Sequence, residues 1–189
     1  MELFRRRYNA NLAFLDVGVV EGGSERFESV ANALAKVKED ADFIAVHDAV
    51  RPCLRSEHID AVFEKAEKTG AAMLATPIAS TVKRANKDKT IESTVDRRNL
   101  WLAQTPQVFR RDWLMEAYAK RGDFKEVITD DAQLIEACGH QVHLVEGEST
   151  NIKITKKADL ALAEAILKSR PEPKVAGPSH PFADEEMWK

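Results

Sequence analysis

Cysteine is almost missing: Cys53 and Cys138 are the only two in 189 residues, too few for a disulfide framework. The five histidines are scattered and make no zinc-ligand spacing with them. No apolar run approaches the roughly 18 residues that a membrane-spanning helix requires. The opening MELFRRRYNANLAFL also lacks the continuous apolar core of a secretory signal. Charge of one sign is not in surplus either. Lys and Arg number 28 against 31 Asp and Glu, a net charge of −3, so no overall basic field points to nucleic acid. These absences exclude secreted disulfide knots, zinc fingers and helical membrane proteins, and they predict a cytoplasmic location with reduced thiols. What is present is 44% hydrophobic and 31% charged residues, the balance of a chain that can build one domain with a sizeable core.

Short apolar clusters alternate with helical patterns. Leu12–Val20 (LAFLDVGVV), Phe43–His47 (FIAVH) and Ala71–Thr76 (AAMLAT) have the near-continuous apolar character of strands buried on both faces of a parallel sheet. Between them, Phe27, Val30, Ala31, Leu34 and Val37 recur at helical spacing behind Gly22-Gly23-Ser24. A second helix is predicted over Glu57–Lys68, with Ser56 as N-cap and Gly70 past its end. Further helices are predicted at Asp112–Lys120, at Asp130–Ala137 with Thr129 as N-cap, and at Lys157–Leu167, with a strand at Val142–Val145. The alternation predicts an α/β fold with a doubly wound sheet over residues 1–168. Ser80–Arg84 and Thr90–Val95 flank a polar link and predict an exposed β-hairpin, an arm over residues 78–99 whose faces need a second subunit to cover them. Residues 169–189 hold four of the seven prolines and no periodic face, the pattern of a mobile tail.

The segment most suggestive of chemistry is His47-Asp48-Ala49-Val50-Arg51-Pro52, where an apolar strand ends and at once presents an acid and a base. Ligands of open α/β sheets gather at such carboxyl ends. Asp48 could hold Mg²⁺ through hard carboxylate oxygens or form an ordinary strand-end ion pair. Arg51 could fork onto a phosphate or fix the loop by pairing with an acid. Gly22-Gly23 leads into a helix and lets backbone N–H groups approach a ligand, or is a plain tight turn; Ser29 follows one turn later. Three further stretches carry hydroxyls, the first and last together with a base: Ser80–Arg84 with Asp96-Arg97, Gln104-Thr105-Pro106-Gln107, and Asn151–Thr155 with its central Lys153. Taken singly, each is better accounted for by structural ion pairing or snorkelling than by a ligand. Cys53, beside the Arg51-Pro52 turn, is expected to be a small buried residue and not a nucleophile.

Taken in order, GGSERFESV, VHDAVRP, TPIASTVKR, TVDRRNLWLAQTPQVF, ITDDA, VEGESTNIKIT and DLALAE resemble the 2-C-methyl-D-erythritol 4-phosphate cytidylyltransferase family. The likeness runs from about Val20 to Leu167, and it is the number and order of the segments that make it specific. It implies a Rossmann-like nucleotidyltransferase sheet, a homodimer joined through the β-arm, Mg²⁺, and transfer of a cytidylyl group from CTP to methylerythritol phosphate with release of pyrophosphate. Carried over by position, Gly23, Ser24 and Ser29 would contact the cytidine part. Asp48 and Ala49 would lie between nucleotide, metal and acceptor, beside Arg51. Thr81 and Arg97 from the partner's arm, with Thr105 and Thr129, would hold the acceptor, and Arg97 and Lys153 would position its phosphate. Two departures stand out. Ser24 occupies a position where many members have aspartate, and the Gly-rich, Arg- and Lys-bearing loop that opens the family has no counterpart before Gly22. Two alternatives therefore stay open: a non-catalytic fragment or subunit retaining arm and acceptor site, or a cytidylyltransferase for another polyol phosphate such as ribitol phosphate.

Overall fold

In the computed structural model, residues 2–124 and 128–171 are described. The unbroken apolar run Ala71–Pro77 forms β2, buried along all of its length except the last residue, as a strand covered on both faces must be. Its neighbours are β5 (Trp101–Arg110) and β6 (His143–Glu146), and β1 (Phe43–Val46) lies beyond β5, giving the order β1-β5-β2-β6. β2 and β6 are parallel, whereas β5 runs antiparallel to both β1 and β2. The predicted α/β sheet is thus present with its longest strand reversed. Periodicity reports burial and carries no direction, so the reversal has no signature in the sequence.

Alternation along β2 and β5 divides the core between the two faces. Ala71, Met73 and Phe109 pack on one side with Leu34, Leu114, Leu134 and Ile135. Those partners come from α2 (Arg26–Leu34), α4 (Arg111–Ala119) and α5 (Asp131–Ala137). Ala72, Leu74 and Val108 face the other way, against Val62 and Ala66 of α3 (Ser56–Thr69). The last helix, α6 (Lys157–Lys168), closes over Cys53, whose thiol is buried and points at the Ala163 carbonyl at 3.7 Å, the inert environment expected for it.

Several local expectations are corrected. Leu12–Val20 is no strand: α1 covers Glu2–Phe14 and Asp16, at φ 53°, ends it, leaving Leu3 and Phe14 exposed. A short apolar run suits a helix as well as a strand, and this one has no ladder partner among the described residues. Ser56 is the first residue of α3 and not its cap, which is Arg55 without a side-chain bond. The cap of α5 is Asp130, accepting from the Gln133 N–H at 3.0 Å, while Thr129 stands one residue earlier. The predicted tail lies almost wholly outside the described residues.

The predicted arm is present as β3 (Val82–Ala85) and β4 (Ile91–Val95), a separate two-stranded sheet exposed along nearly all of its length. Thr81 precedes β3 and Arg97 follows β4, so both stand at the base of the hairpin.

Gly70 ends α3 in the left-handed region at φ +89°, its N–H returning to the Ala66 carbonyl. A Cβ there would meet the Trp113 ring at 2.3 Å, and that ring is itself stacked on His140 at 3.9 Å between centroids. Gly70→Ala is expected to lower the unfolding free energy by at least about 1–2 kcal/mol, the ordinary penalty of a left-handed Cβ, with the Trp113 clash added. The readout is a lower urea midpoint at unchanged slope; an unshifted midpoint contradicts the packing described.

Candidate functional site

Three chain segments meet beyond the carboxyl end of β1. The strand leads directly into His47 and Asp48. Because β5 is reversed, with Gln107 opposite Val46, its Thr105 and Gln104 arrive at this same end of the sheet. The loop after β6 completes the group with Asn151 and Lys153.

Hydrogen bonds fix these segments to one another. The Asp48 N–H donates to Thr105 Oγ1 at 3.0 Å, and Thr105 Oγ1 lies 3.0 Å from His47 Nδ1. His47 Nε2 is 3.2 Å from the Arg51 carbonyl, which can only accept, so Nε2 is the donor of that pair. Asn151, fully buried, donates its side-chain amide to Gln104 Oε1 at 3.2 Å and to the Thr105 carbonyl at 3.0 Å. Its main-chain carbonyl accepts from Arg51 Nη1 at 2.8 Å. Gln104 Nε2 donates onward to the Glu148 carbonyl at 2.9 Å, and the Ile154 N–H to the Val50 carbonyl at 2.8 Å. Gly147 sits so close that a Cβ there would lie 2.7 Å from Gln104 Oε1.

Asp48 is the electrostatic centre. Its Oδ2 is 2.9 Å from Lys153 Nζ and 3.5 Å from Arg51 Nε, and its Oδ1 is 3.7 Å from Arg26 Nε. Arg26 also donates to Asp131 at 2.8 Å, and the Tyr118 hydroxyl binds the other oxygen of that buried carboxylate. Burial pushes the Asp48 pKa up, but the Lys153 hydrogen bond and the charges of Lys153, Arg26 and Arg51 outweigh it and hold the carboxyl below its usual range. Burial pulls the Arg26 pKa down; the hydrogen bond and charge of Asp131 prevail and keep it raised. Burial, then the Asp131 charge, push the Tyr118 phenol far up, so it stays a neutral donor.

Arg26, Asp48, Arg51, Thr105, Thr129 and Lys153 line one cleft of about 250 Å³. Ser29, Asp48 and Ala49 line a second, larger and more apolar groove of about 420 Å³ between α2 and β1. The structure therefore gathers Asp48, Arg51, Thr105, Thr129 and Lys153, and sets Ser29 and Ala49 next door. Gly23 and Ser24 line neither: the Gly23 N–H donates to Ser29 Oγ at 3.0 Å, and Ser24 gives its N–H and hydroxyl to Glu28 at 2.7 and 2.6 Å. Thr81 and Arg97 are exposed at the base of the arm and line neither cleft within one chain. For Arg51, the loop-fixing alternative describes the contacts, since its guanidinium is engaged by the Asn151 carbonyl and Asp48. Arg26, Tyr118 and Asp131 carry no signal of their own in the sequence, and the stretches holding Gln104 and Asn151 do not announce that these two amides join the segments. Arg26 and Asp131 are 105 positions apart, and no local pattern joins them.

A cleft in which Arg26, Arg51 and Lys153 surround the ionised Asp48, with Asp130 also on its wall, lies beyond the strand ends of an α/β sheet, and the sheet has the nucleotidyltransferase-like fold of its structural neighbours. The family model described as 2-C-methyl-D-erythritol 4-phosphate cytidylyltransferase matches residues 5–169, and the chain belongs to that family. A relative of that name from Rhodopirellula baltica is 45% identical over 175 residues, covering 87% of this chain and 70% of its own. One from Syntrophus aciditrophicus is 46% identical over 151 residues, covering 80% and 64%. The crystal structure of the cytidylyltransferase from Thermus thermophilus superposes with a TM-score of 0.75 at 37% identity, over 80% of this chain and 74% of that one. The chain thus spans about two thirds of the length of the curated relatives it matches, 64–70% for these two.

The lowered Asp48 pKa makes stability depend on pH. Below the ordinary carboxylate value of about 4 the unfolded chain takes up a proton that folded Asp48 still refuses. The contribution is complete above that value and is lost as pH falls through the lower folded one. Asp48→Asn should flatten the fall in urea midpoint below about pH 4; an unchanged acid limb contradicts the ion cluster.

Proposed function

We propose that this chain transfers a cytidylyl group from CTP to 2-C-methyl-D-erythritol 4-phosphate. An oxygen of the acceptor phosphate attacks the α-phosphorus, the bond from that phosphorus to the bridging oxygen of the β-phosphate breaks, and pyrophosphate leaves. The observation that carries the reading is the convergence of Lys153 and Arg51 on Asp48 in a cleft shared with Thr105 and Thr129, in a chain of this family.

The residue types suit the reaction. A phosphate monoester is already anionic near neutral pH, its second pKa being about 6, so the nucleophile needs no general base. The obstacle is bringing one anion to another and stabilising added charge at the α-phosphorus, which cationic side chains and positioning accomplish. Lys153 is still 44% exposed while touching Asp48, so its ammonium can exchange that contact for a phosphate oxygen. Thr105 and Thr129 offer hydroxyls along the same cleft. Ser29 and Ala49 line the neighbouring groove, which suits the nucleotide side. Mg²⁺ is commonly held by one or two carboxylates with substrate phosphates completing its shell, and the ionised, hard-oxygen carboxylate of Asp48 fits that demand. Held there by Asp48, such an ion would supply charge neutralisation on the phosphates.

The exposed arm supports a homodimer in which a second copy brings Thr81 and Arg97 to the acceptor. Among the described residues no helix is long and apolar enough to cross a membrane; we place the reaction in the cytoplasm, where its nucleotide substrate is found.

The purified chain with CTP, methylerythritol phosphate and Mg²⁺ should release pyrophosphate, with ribitol phosphate a poorer acceptor. Lys153→Ala should lower kcat/KM by about a hundredfold or more, as loss of a charge-stabilising donor does. A Lys153→Ala protein as active as the parent overturns the assignment. Light scattering at micromolar concentration should give a dimer, and a monomer removes the shared site.

A further inference from the structure

We infer that Arg26 is a positioning residue for the transfer, holding the Asp48 carboxylate in place as the common wall of two clefts; the inference rests on the transferase reading above. Arg26 and Asp48 are the two residues that line both the groove of about 420 Å³ and the cleft of about 250 Å³. A bond formed between a nucleotide in the first and an acceptor in the second is formed beside that pair.

The geometry is that of a brace with a fixed end and a working end. The fixed end is Asp131, 1% exposed at the start of α5, with one oxygen on the Tyr118 hydroxyl and the other on Arg26 Nη2 at 2.8 Å. Both oxygens of Asp131 are engaged and its helix is packed into the core, so it cannot follow a moving partner. The working end is Arg26 Nε, 3.7 Å from Asp48 Oδ1. Lys153 and Arg51 approach the opposite oxygen, Oδ2. A carboxylate met from both sides cannot rotate without surrendering one set of contacts. One guanidinium thereby ties the first turns of α2 and α5 to the end of β1, three points that no main-chain hydrogen bond joins to one another among the described residues.

The planar fork is what lets one side chain serve both carboxylates, since Nε and Nη2 point at different partners. A lysine at 26 keeps the charge and can keep the Asp131 contact, but its one nitrogen cannot occupy both the Nη2 position at Asp131 and the Nε position at Asp48. A merely structural tie between α2 and α5 would be restored by lysine. A positioning role would not.

The test compares the parent with Arg26→Lys and Asp131→Asn by kinetics, thermal unfolding and hydrogen exchange. The expected result for Arg26→Lys is an unfolding midpoint near the parent's and KM values within about threefold, with kcat lowered by about a hundredfold, the cost of a misplaced reacting group. Asp131→Asn should move kcat in the same direction, because the brace loses its anchor. Exchange of the Asp48 and Arg51 amides, which donate to Thr105 Oγ1 at 3.0 Å and to the Asp48 carbonyl at 2.9 Å, should quicken in Arg26→Lys while α3 stays protected. An Arg26→Lys protein with the parent's kcat overturns the proposal. If the parent itself releases no pyrophosphate, the transferase reading fails, and exchange alone decides the role of Arg26. Faster exchange at Asp48 and Arg51 then sustains it as the residue positioning Asp48; unchanged protection overturns it.

Discussion

The buried amide of Asn151 is the contact on which the rest of the site depends. Its Nδ2 holds the antiparallel strand β5 at Gln104 and Thr105, and its main-chain carbonyl holds Arg51 on the loop from β1. To the Asp48–Thr105 and Ile154–Val50 hydrogen bonds it adds a residue that touches all three segments at once. A neutral, fully buried hydrogen-bonding group can join them because low polarity around it strengthens each bond and penalises every alternative that leaves it unpaired. The charged residues can then face the cleft without being asked to hold it together.

That division of labour explains why a chain of net charge −3 can present a cationic pocket. Arg26, Arg51 and Lys153 are concentrated around a single carboxylate, while Asp131 is turned inward to Tyr118 and Arg26. Local placement of charge over a few ångströms dominates at contact distance, whereas the overall sum acts only through a screened field. The reversed strand contributes as well. Running β5 antiparallel delivers its early residues to the carboxyl ends of β1 and β2, so a single sheet end collects hydroxyls and amides that an all-parallel arrangement would send to the opposite rim.

Much of this was legible in the sequence. The burial of β2, the strand ending at His47-Asp48, the helix stop at Gly70 and the exposed hairpin are each written in a few adjacent residues, and local residues are what periodicity and turn chemistry report. Asp48, Thr105, Thr129 and Lys153 were singled out by family resemblance and do share a cleft. What escaped was long-range or ambiguous. The apolar run after Asn11 suits helix and strand alike, and only the lack of a neighbouring strand decides it. The direction of β5 leaves no periodic trace. Tyr118, Asp131 and Arg26 look like ordinary surface residues until the fold brings them together. The hydrogen bonds of Gly23 to Ser29 and of Ser24 to Glu28 join residues six and four positions apart, and the glycine pair alone did not announce them.

Gly147 shows how little slack this arrangement leaves. It has no charge, binds nothing through a side chain and lies outside the cleft lining, yet a methyl group there would press on Gln104 Oε1, the side-chain amide oxygen. Gln104 grips Asn151, and Asn151 grips Arg51, so the disturbance would travel by contact from a residue without a side chain to the rim of the pocket. For this fold, the positions at which sequence can drift are therefore set less by distance from the chemistry than by membership of that one chain of touching atoms.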